Sequence, residues 1–169
     1  MMNANRKAFL DMIAYSEGTS TSPGTKNNGY DIIVTGVNGM PEIFTDYSKH
    51  PFAEGRAPKL INKGGLKSSA SGRYQFMRVH WQHYRDLLRL TDKEKYPGGA
   101  FSPKAQDDWA LQLIREQRAL NDVDEGRFSD AIRKVSNIWA SLPGAGYGQH
   151  ENKLDNLLAI YKSAGGLVA

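Results

Sequence analysis

Strand-forming residues are concentrated in one short region of this chain, and helical patterns lie on both sides of it. Residues 30–34 and 43–45 are rich in β-branched and aromatic side chains, which favour strands. Asn38-Gly39 between them favours a hairpin turn, because both residue types accept positive φ. One small β region enclosed by helices predicts an α+β fold that is mostly helical and carries a small antiparallel hairpin.

Apolar residues at helical spacing predict five helices around that hairpin. Ser102 is a typical N-cap with Pro103 at the first helical position, and Ser71-Gly72 and Ser129 are expected to open two further helices. Residues 46–71 are expected to form a loop. All three tryptophans fall in helical registers and are expected in the core. The predicted helices cover 4–17, run from 71–72 through Leu88, from 102–103 through Ile114 and from Ser129 through Trp139, and include 154–161.

Length, composition and charge limit the classes of function. The chain has 169 residues, which suits one domain over residues 1–169, and it has no cysteine, which excludes disulfides and thiolate chemistry. Its net charge of +4 favours an anionic partner, but no run of lysine and arginine indicates a nucleic-acid arm. No segment approaches the ~20 apolar residues of a membrane span, and the polar N-terminus lacks the apolar core of a secretory signal peptide. We therefore expect no nucleic acid partner, no stable membrane insertion and, by default, a monomer.

Glu17 is the residue whose position most strongly suggests chemistry. Phe9, Ile13 and Glu17 are spaced at i, i+4 and i+8, so the carboxyl continues the apolar face of the first helix, and Gly18 ends that helix. Partial burial and the negative end of the helix dipole both disfavour the charged form, which should raise the pKa of this carboxyl. A carboxyl that keeps its proton near neutral pH can act as a general acid. The alternative is a glutamate at a frayed helix end, pointing into water.

The histidines do not indicate a metal site. His80 and His83 lie three residues apart in a predicted helix, a spacing that can hold a metal ion. Trp81 lies between them and no further histidine lies nearby, and a structural zinc site needs four ligands. We expect no metal and no cofactor.

Several segments between Arg6 and Gly166 resemble the bacteriophage-lambda type of endolysin, and they follow one another in the order found in that family. The resemblance does not rest on the Ser-Glu-Gly around Glu17 alone, because four motifs, with the two segments of the β region counted as one, occur in the right order and one of them is long. The resembling segments are 14–19 around the glutamate, 29–34 and 44–51 in the β region, 72–76, and 136–149, which is the most distinctive.

The resemblance implies a lysozyme-like fold, with the small antiparallel sheet flanking an active-site cleft, and a specific activity. Members of this family are lytic transglycosylases, which cleave the β-1,4 bond between N-acetylmuramic acid and N-acetylglucosamine of peptidoglycan without water. By this resemblance Glu17 protonates the glycosidic oxygen and then takes the proton of the C6 hydroxyl, which closes a 1,6-anhydro ring. The implied role is host cell lysis, with the protein made in the host bacterial cytoplasm and given holin-dependent access to the wall.

Two other functions stay open from the sequence. A hydrolytic lysozyme would need a second carboxylate, and Asp31 and Asp46 flank the predicted hairpin. Aspartate in turns also bonds local backbone amides; we favour that role for Asp31 and leave Asp46 open between a local role and substrate contact. A catalytically silent glycan-binding or phage structural module is the alternative from another class.

Further candidate substrate-binding residues come from the resembling segments. Gln75 offers both a donor and an acceptor to acetamido groups, whereas Tyr74 is as consistent with core packing as with substrate contact. Tyr147 lies in a glycine-rich loop that either closes over the substrate or only connects two helices. The candidate substrate-binding residues are Asp31, Asp46, Tyr47, His50, Arg73, Tyr74, Gln75, Tyr147 and Gln149.

The segment 52–65 is a candidate for a second loop beside the cleft. Arg56, Lys59 and Lys63 give it positive charge, which suits the carboxylates of peptidoglycan. The alternative is that these are solvated surface charges.

Overall fold

The computed structural model describes residues 2–146 and 150–169. Within these ranges the chain forms six α-helices and four two-residue strands. The helices are α1 Ala4–Ser16, α2 Trp81–Leu87, α3 Pro103–Glu116, α4 Leu120–Asp124, α5 Phe128–Val135 and α6 Leu154–Ser163, and the strands are β1 Ile32–Ile33, β2 Glu42–Ile43, β3 Lys59–Leu60 and β4 Lys67–Ser68. The α+β prediction is confirmed.

The chain divides into two compact units. One, the helical unit, comprises residues 1–18 and 110–169, and the other, the β unit, comprises residues 19–109. Helix α3 begins in the β unit and ends in the helical unit. The single domain over residues 1–169 stays a prediction.

The helical unit is built around α1. Asn3 caps the start of this helix, because its side chain accepts a hydrogen bond from the backbone N–H of Arg6 at 2.8 Å. Phe9 and Ile13 are at most 1% exposed, and α1 packs against α4 and α6. Phe9 meets the ring of Phe128 edge to face at a centroid distance of 6.1 Å. These contacts fix the last turn of α1, where Glu17 follows.

The β unit contains two short antiparallel ladders. Strand β1 pairs with β2, with Ile32 opposite Ile43, and β3 pairs with β4, with Lys59 opposite Ser68. The second ladder lies within the segment 46–71, where the sequence predicted only loop. Its strands are two residues long and mostly polar, so they lack the apolar alternation by which a strand is recognised.

An aromatic cluster forms the core of the β unit. Trp109 on α3 is 1% exposed and stacks on Phe76 at a centroid distance of 4.0 Å and on Tyr84 of α2 at 5.3 Å. Trp81 is 6% exposed, and Trp139 in the helical unit is 2% exposed. The expectation that all three tryptophans are core residues is confirmed.

The predicted helix start at Ser71-Gly72 is wrong. Ser71 and Phe76 exchange backbone hydrogen bonds of 3.0 and 2.8 Å, so residues 72–75 form a tight turn. Gly72 has φ +82°, and a Cβ there would lie 2.4 Å from Oε1 of Gln106. Gln75 also has positive φ, at 54°, which a helix does not allow. Ser71 is therefore not an N-cap, and α2 begins only at Trp81, after a 3₁₀ turn over Arg78–His80.

The other helix starts and the hairpin turn gave mixed outcomes. Ser102 does cap α3, since its hydroxyl accepts from the N–H of Ala105 at 3.2 Å. Ser129 lies inside α5, whose N-cap is Arg127 without a side-chain bond. The short helix α4 was not predicted. Strands β1 and β2 are joined by residues 34–41 rather than by a two-residue turn, and of Asn38 and Gly39 only the glycine has positive φ.

Candidate active site

Glu17 lies directly at the end of α1. Its backbone N–H donates to the carbonyl of Ile13 at 2.8 Å, and Gly18, with φ +76°, turns the chain away from the helix. The side chain is partly buried, in line with Phe9 and Ile13 on the same helix face. The sequence prediction of where this residue lies on the helix is confirmed.

The environment of Glu17 favours the protonated carboxyl. Burial raises its pKa from 4.5 to about 7, and a hydrogen bond from Ser141 acts in the opposite direction. Burial is thus the dominant cause. A carboxyl with this pKa carries a proton in a large fraction of molecules at neutral pH and can also lose it, as acid/base catalysis requires.

Ser141 is the side chain of the helical unit that contacts this carboxyl. Its hydroxyl donates to Oε2 of Glu17 at 2.7 Å and lies 2.8 Å from the hydroxyl of Ser16. Ser141 could not be singled out from the sequence, because a bond between residues 124 positions apart leaves no local pattern. The one available signal was its place inside the distinctive segment 136–149.

Asp31, in the β unit, has a structural environment. It is 3% exposed and accepts hydrogen bonds from the hydroxyl of Thr25 at 2.5 Å and from the backbone N–H of Lys26 at 2.9 Å. The interpretation that Asp31 bonds groups of its own turn is confirmed by these contacts.

Asp46 is an exposed residue that closes a local turn. One carboxylate oxygen accepts from both the N–H and the hydroxyl of Ser48, at 2.9 and 2.6 Å, and Lys49 lies 3.7 Å away. These donors lower the pKa of Asp46, so it is ionised at neutral pH. Its neighbour Tyr47 is partly buried, and its hydroxyl accepts from the amide of Asn27 at 2.8 Å.

Arg73 and Tyr74 belong to a buried polar network rather than to an open surface. They are 4% and 0% exposed. The hydroxyls of Tyr74 and Tyr30 both donate to Oδ1 of Asp107, at 2.5 and 2.8 Å, and the Arg73 guanidinium lies 5.0 Å from the ring centre of Tyr30. Sequence reasoning missed Asp107, which joins α3 to this turn. For Tyr74 the structure favours core packing, the alternative left open above.

His50, expected beside the cleft, is instead a core residue at 0% exposure. Its Nε2 lies 2.7 Å from the carbonyl of Phe76, and its Nδ1 accepts from the N–H of Phe52 at 3.1 Å. Burial lowers the pKa of His50 to about 4. Both ring nitrogens bond backbone groups inside the β unit, so the candidate role of His50 as a substrate contact is not supported.

Three candidates remain at the turn and the glycine-rich loop. Gln75 is partly buried, and its amide nitrogen donates to the carbonyl of Gly72 at 3.0 Å. Tyr147 and Gln149 lie outside the described residues. Glu151, which follows them in the chain, accepts from the backbone N–H groups of Gly144 and Gly146 at 3.0 and 3.1 Å.

The positive charge of segment 52–65 is partly neutralised within the β unit. Arg56 and Lys59 bind Glu42 at 2.7 and 2.8 Å, and these cations lower the pKa of Glu42 to about 2. Lys63 is exposed. The interpretation of this segment as a cation surface for substrate therefore rests on fewer charges than its sequence suggested.

Over residues 2–146 and 150–169, no helix combines the length and apolar character needed to cross a membrane. Over the same residues, no three metal-ligating side chains of His, Asp or Glu are grouped together.

An α+β fold in which a partly buried, proton-holding glutamate ends the first helix defines a lysozyme-like protein. Two solved structures share this fold: a bacteriophage lambda lysozyme complexed with a chitohexasaccharide, with a TM-score of 0.84 and 50% identity over 100% of this chain and 99% of that one, and a lysozyme from bacteriophage lambda, with a TM-score of 0.81 and 49% identity over the same shares. The lysozyme-like prediction is confirmed.

The chain belongs to the Endolysin family, whose family model matches residues 7–168. It is 56% identical over 165 residues to the endolysin of Escherichia phage P2, covering 98% of this chain and 95% of that one. It is 50% identical over 169 residues to the endolysin of Escherichia phage lambda, covering 99% and 95%. The predicted family is therefore confirmed.

Proposed function

We propose that this protein cleaves the glycan strands of bacterial peptidoglycan and that Glu17 is the acid that protonates the leaving glycosidic oxygen. The observation that carries the proposal is the burial of this carboxyl, which raises its pKa to about 7. Endolysin family membership supports the wall as target. The lambda lysozyme was solved with a chitohexasaccharide, a β-1,4-linked amino-sugar chain, which supports a glycan as the ligand here.

The finer proposal is a non-hydrolytic reaction. As the bond between C1 of N-acetylmuramic acid and O4 of N-acetylglucosamine breaks, the proton of Glu17 moves to O4. The C6 oxygen of the same muramic acid then bonds to C1, and its proton passes to the Glu17 carboxylate. The enzyme regains its proton, no water is consumed, and the product carries a 1,6-anhydro ring. One carboxyl with a pKa near 7 suffices for both proton transfers.

The environment of Asp31 supports this single-carboxyl route. Both of its oxygens accept hydrogen bonds within its own turn and it is 3% exposed, whereas a nucleophile or general base must reach the sugar or water. Asp46 uses one oxygen for Ser48 and keeps an exposed side chain, so it is the better placed of the two for a hydrolytic reaction.

Hydrolysis by a lysozyme mechanism is the second candidate, and the names of the solved relatives favour it. Both lambda structures are called lysozyme, a name used for enzymes that hydrolyse wall glycans. In that case Asp31 would have to release its local partners to activate water, or Asp46 would have to act through the oxygen that faces Lys49.

Mass spectrometry of digested, purified peptidoglycan separates the two reactions. The non-hydrolytic route predicts muropeptide ends that are lighter by one water than those of hydrolysis. Muropeptides that end in ordinary reducing N-acetylmuramic acid, heavier by one water than the anhydro form, would contradict the non-hydrolytic route and establish the hydrolytic alternative.

Replacement of the acid tests the proposal common to both reactions. Glu17→Gln keeps the shape of the side chain but has no transferable proton, so lysis should fall by at least about 10². Glu94→Gln, at an exposed glutamate, is the matched control and should keep its rate. Lysis by Glu17→Gln at the control rate would contradict the role of Glu17. If neither form cleaves walls while both bind them, the protein is a glycan-binding module.

Substrate contacts and access to the wall complete the proposal. Gln75, Tyr47 and Asp46 are the described candidates that keep exposed or partly exposed side chains, and Tyr147 and Gln149 remain candidates from the sequence. Release from the host cytoplasm depends on a holin. Cells that express the protein alone should lyse only after their inner membrane is permeabilised, and lysis without permeabilisation would contradict this.

A further inference from the structure

We propose that Asn152, Ser16 and Ser141 form a one-directional hydrogen-bond chain that keeps the proton of Glu17 on Oε1 and so selects the oxygen that donates to the substrate. The inference rests on the proposed function of Glu17 as the acid. All four residues belong to the helical unit. Asn152, Ser16 and Ser141 are positioning residues, and Glu17 is the acid on which they act.

The direction of the chain is set at Asn152. Its Nδ2 atom lies 3.1 Å from the backbone carbonyl of Ser16 and 3.1 Å from the hydroxyl of Ser16. A backbone carbonyl only accepts, so the amide atom facing it is the nitrogen, which only donates. The Ser16 hydroxyl therefore receives a hydrogen bond from Asn152.

The remaining links follow from the first. Ser16 Oγ lies 2.8 Å from Ser141 Oγ, and Ser141 Oγ lies 2.7 Å from Oε2 of Glu17. Because the Ser16 hydroxyl accepts from Asn152, its own hydrogen is available for Ser141. Ser141 then accepts from Ser16 and points its hydrogen at Oε2. Each hydroxyl accepts once and donates once, which satisfies every group in the chain.

A proton on Oε2 would break this arrangement. Oε2–H would have to donate to Ser141, and the hydrogen of Ser141 would then have to turn away from Oε2, either to Ser16, which already accepts from Asn152, or out of the chain. In the first case the hydrogen of Ser16, a residue only 8% exposed, would lack an acceptor within the chain, and in the second case the hydrogen of Ser141 would lack one. An unsatisfied buried donor is costly. The proton of the neutral carboxyl is therefore held on Oε1, which lies outside the chain and is the oxygen left for the glycosidic bond.

Asn152 also fixes the positions of Ser16 and Ser141 through its own hydrogen bonds. Its backbone N–H donates to the carbonyl of Ser141 at 2.8 Å. Its side-chain amide donates to the backbone carbonyl of Ser16, which is one of the carbonyls at the C-terminal end of α1 that have no partner within the helix. Asn152 thus holds the end of α1 and the Ser141 segment at a fixed spacing. Burial and Ser141 are the causes of the pKa shift of Glu17, and the ionisable side chains on these segments, including Arg6, Lys7, Asp11, His150, Glu151 and Lys153, are not among them.

A double-mutant cycle in the full-length protein tests the chain, with the carboxyl ¹³C resonance of Glu17 titrated by NMR. Ser141→Ala removes the donor to the ionised form, which should raise the midpoint by about 1–2 pH units. Ser16→Ala should raise it by less, and only while Ser141 is present. Ser141→Thr keeps a hydroxyl and should restore the wild-type midpoint. Ser136→Ala, at a serine that binds the carbonyl of Arg133, is the control.

Infrared spectroscopy of the protonated, isotope-labelled Glu17 tests the site of the proton. With the proton on Oε1, Oε2 is a carbonyl oxygen that accepts from Ser141, so Ser141→Ala should move its C=O stretch to higher wavenumber. A stretch that does not move would overturn the inference, and so would a Ser16→Ala shift of equal size with and without Ser141.

These results are separable from the proposed function. Lysis by Glu17→Gln at the control rate would defeat the acid role of Glu17, whatever the titrations give. If Glu17→Gln is inactive but the midpoint of Glu17 is unchanged in Ser141→Ala, the acid role stands and the chain is wrong. If the acid role of Glu17 and the hydrogen-bond chain are both correct, the alkaline limb of the pH–rate profile should move with the NMR midpoint of each variant.

Discussion

Replacing Glu17 by glutamine should shift the stability of the protein relative to wild type in favour of the variant as the pH rises, although it removes the acid. The pKa of this carboxyl is raised in the folded state from 4.5 to about 7. Between these values the folded protein binds a proton that the unfolded chain has lost, so the free energy of unfolding falls as pH rises. The stabilising contribution is complete below pH 4.5 and is lost once the pH passes about 7.

The pKa difference sets the size of this effect. Each pKa unit corresponds to about 1.4 kcal/mol, so a rise from 4.5 to about 7 corresponds to about 3 kcal/mol. The carboxyl keeps some solvent exposure, which makes this an upper bound. Glutamine is neutral at every pH and lacks the contribution. The difference in unfolding free energy between Glu17→Gln and wild type should therefore grow by up to about 3 kcal/mol from pH 4 to pH 8.

Denaturant unfolding of both proteins at intervals between pH 4 and pH 8.5 measures that difference. All groups other than residue 17 cancel in the comparison, and the Ser141 bond to the carboxylate is already included in the pKa shift of Glu17. Glu151 provides a control with a different pH window. The N–H groups of Gly144 and Gly146 lower its pKa from the usual 4.5, so Glu151→Gln should lose relative stability only as the pH rises to 4.5. Its difference from wild type should stay constant between about pH 5 and pH 8.5. A Glu17→Gln difference that stays constant across this range would refute the reasoning that burial holds the proton.

Three further predictions concern the β unit. Asp107→Leu should destabilise the protein by about 2 kcal/mol or more, since Tyr30 and Tyr74 lose their acceptor, whereas Asp107→Asn keeps a carbonyl and should cost less; equal losses would contradict the network. Gly99→Ala should cost about 1–3 kcal/mol more than Gly55→Ala in denaturant unfolding, because its Cβ would lie 2.3 Å from the carbonyl oxygen of Tyr47 while that of Gly55 meets nothing; equal costs would show that positive φ alone matters. The ring of His50, followed by NMR, should stay neutral down to about pH 4, so the fold loses stability as pH falls below 6.5, and a midpoint near 6.5 would contradict its burial.

The sequence predicted best those features that depend on local spacing. Phe9, Ile13 and Glu17 share a face because the helix period requires it, and Ser102-Pro103 starts α3 because the capping chemistry is local. The sequence alone therefore predicts that the candidate acid lies at the end of a helix.

Features that depend on distant contacts could not be predicted. The turn at residues 72–75 looked helical, but Gly72 meets Gln106 and the turn is held by contacts to α3. Tertiary contacts of this kind override local propensity. The ladder of β3 and β4 was missed because two-residue polar strands carry no periodic signal.

The candidate site was predictable only in part for the same reason. Glu17 has a local signature, but Ser141 reaches it from 124 residues away. His50 lies next to the β region in sequence, yet its side chain fills the core. Proximity along the chain indicated which residues surround the hairpin, and could not indicate which way each side chain points.

The midpoint of the Glu17 carboxyl in the wild-type protein is the quantity on which the proposed chemistry depends most directly. A ¹³C NMR titration of the labelled side chain between pH 3 and pH 9 measures it without any substrate. The structure predicts a single transition at about pH 7. A transition near 4.5, the usual value for an exposed glutamate, would mean that the carboxyl has no proton to donate at neutral pH.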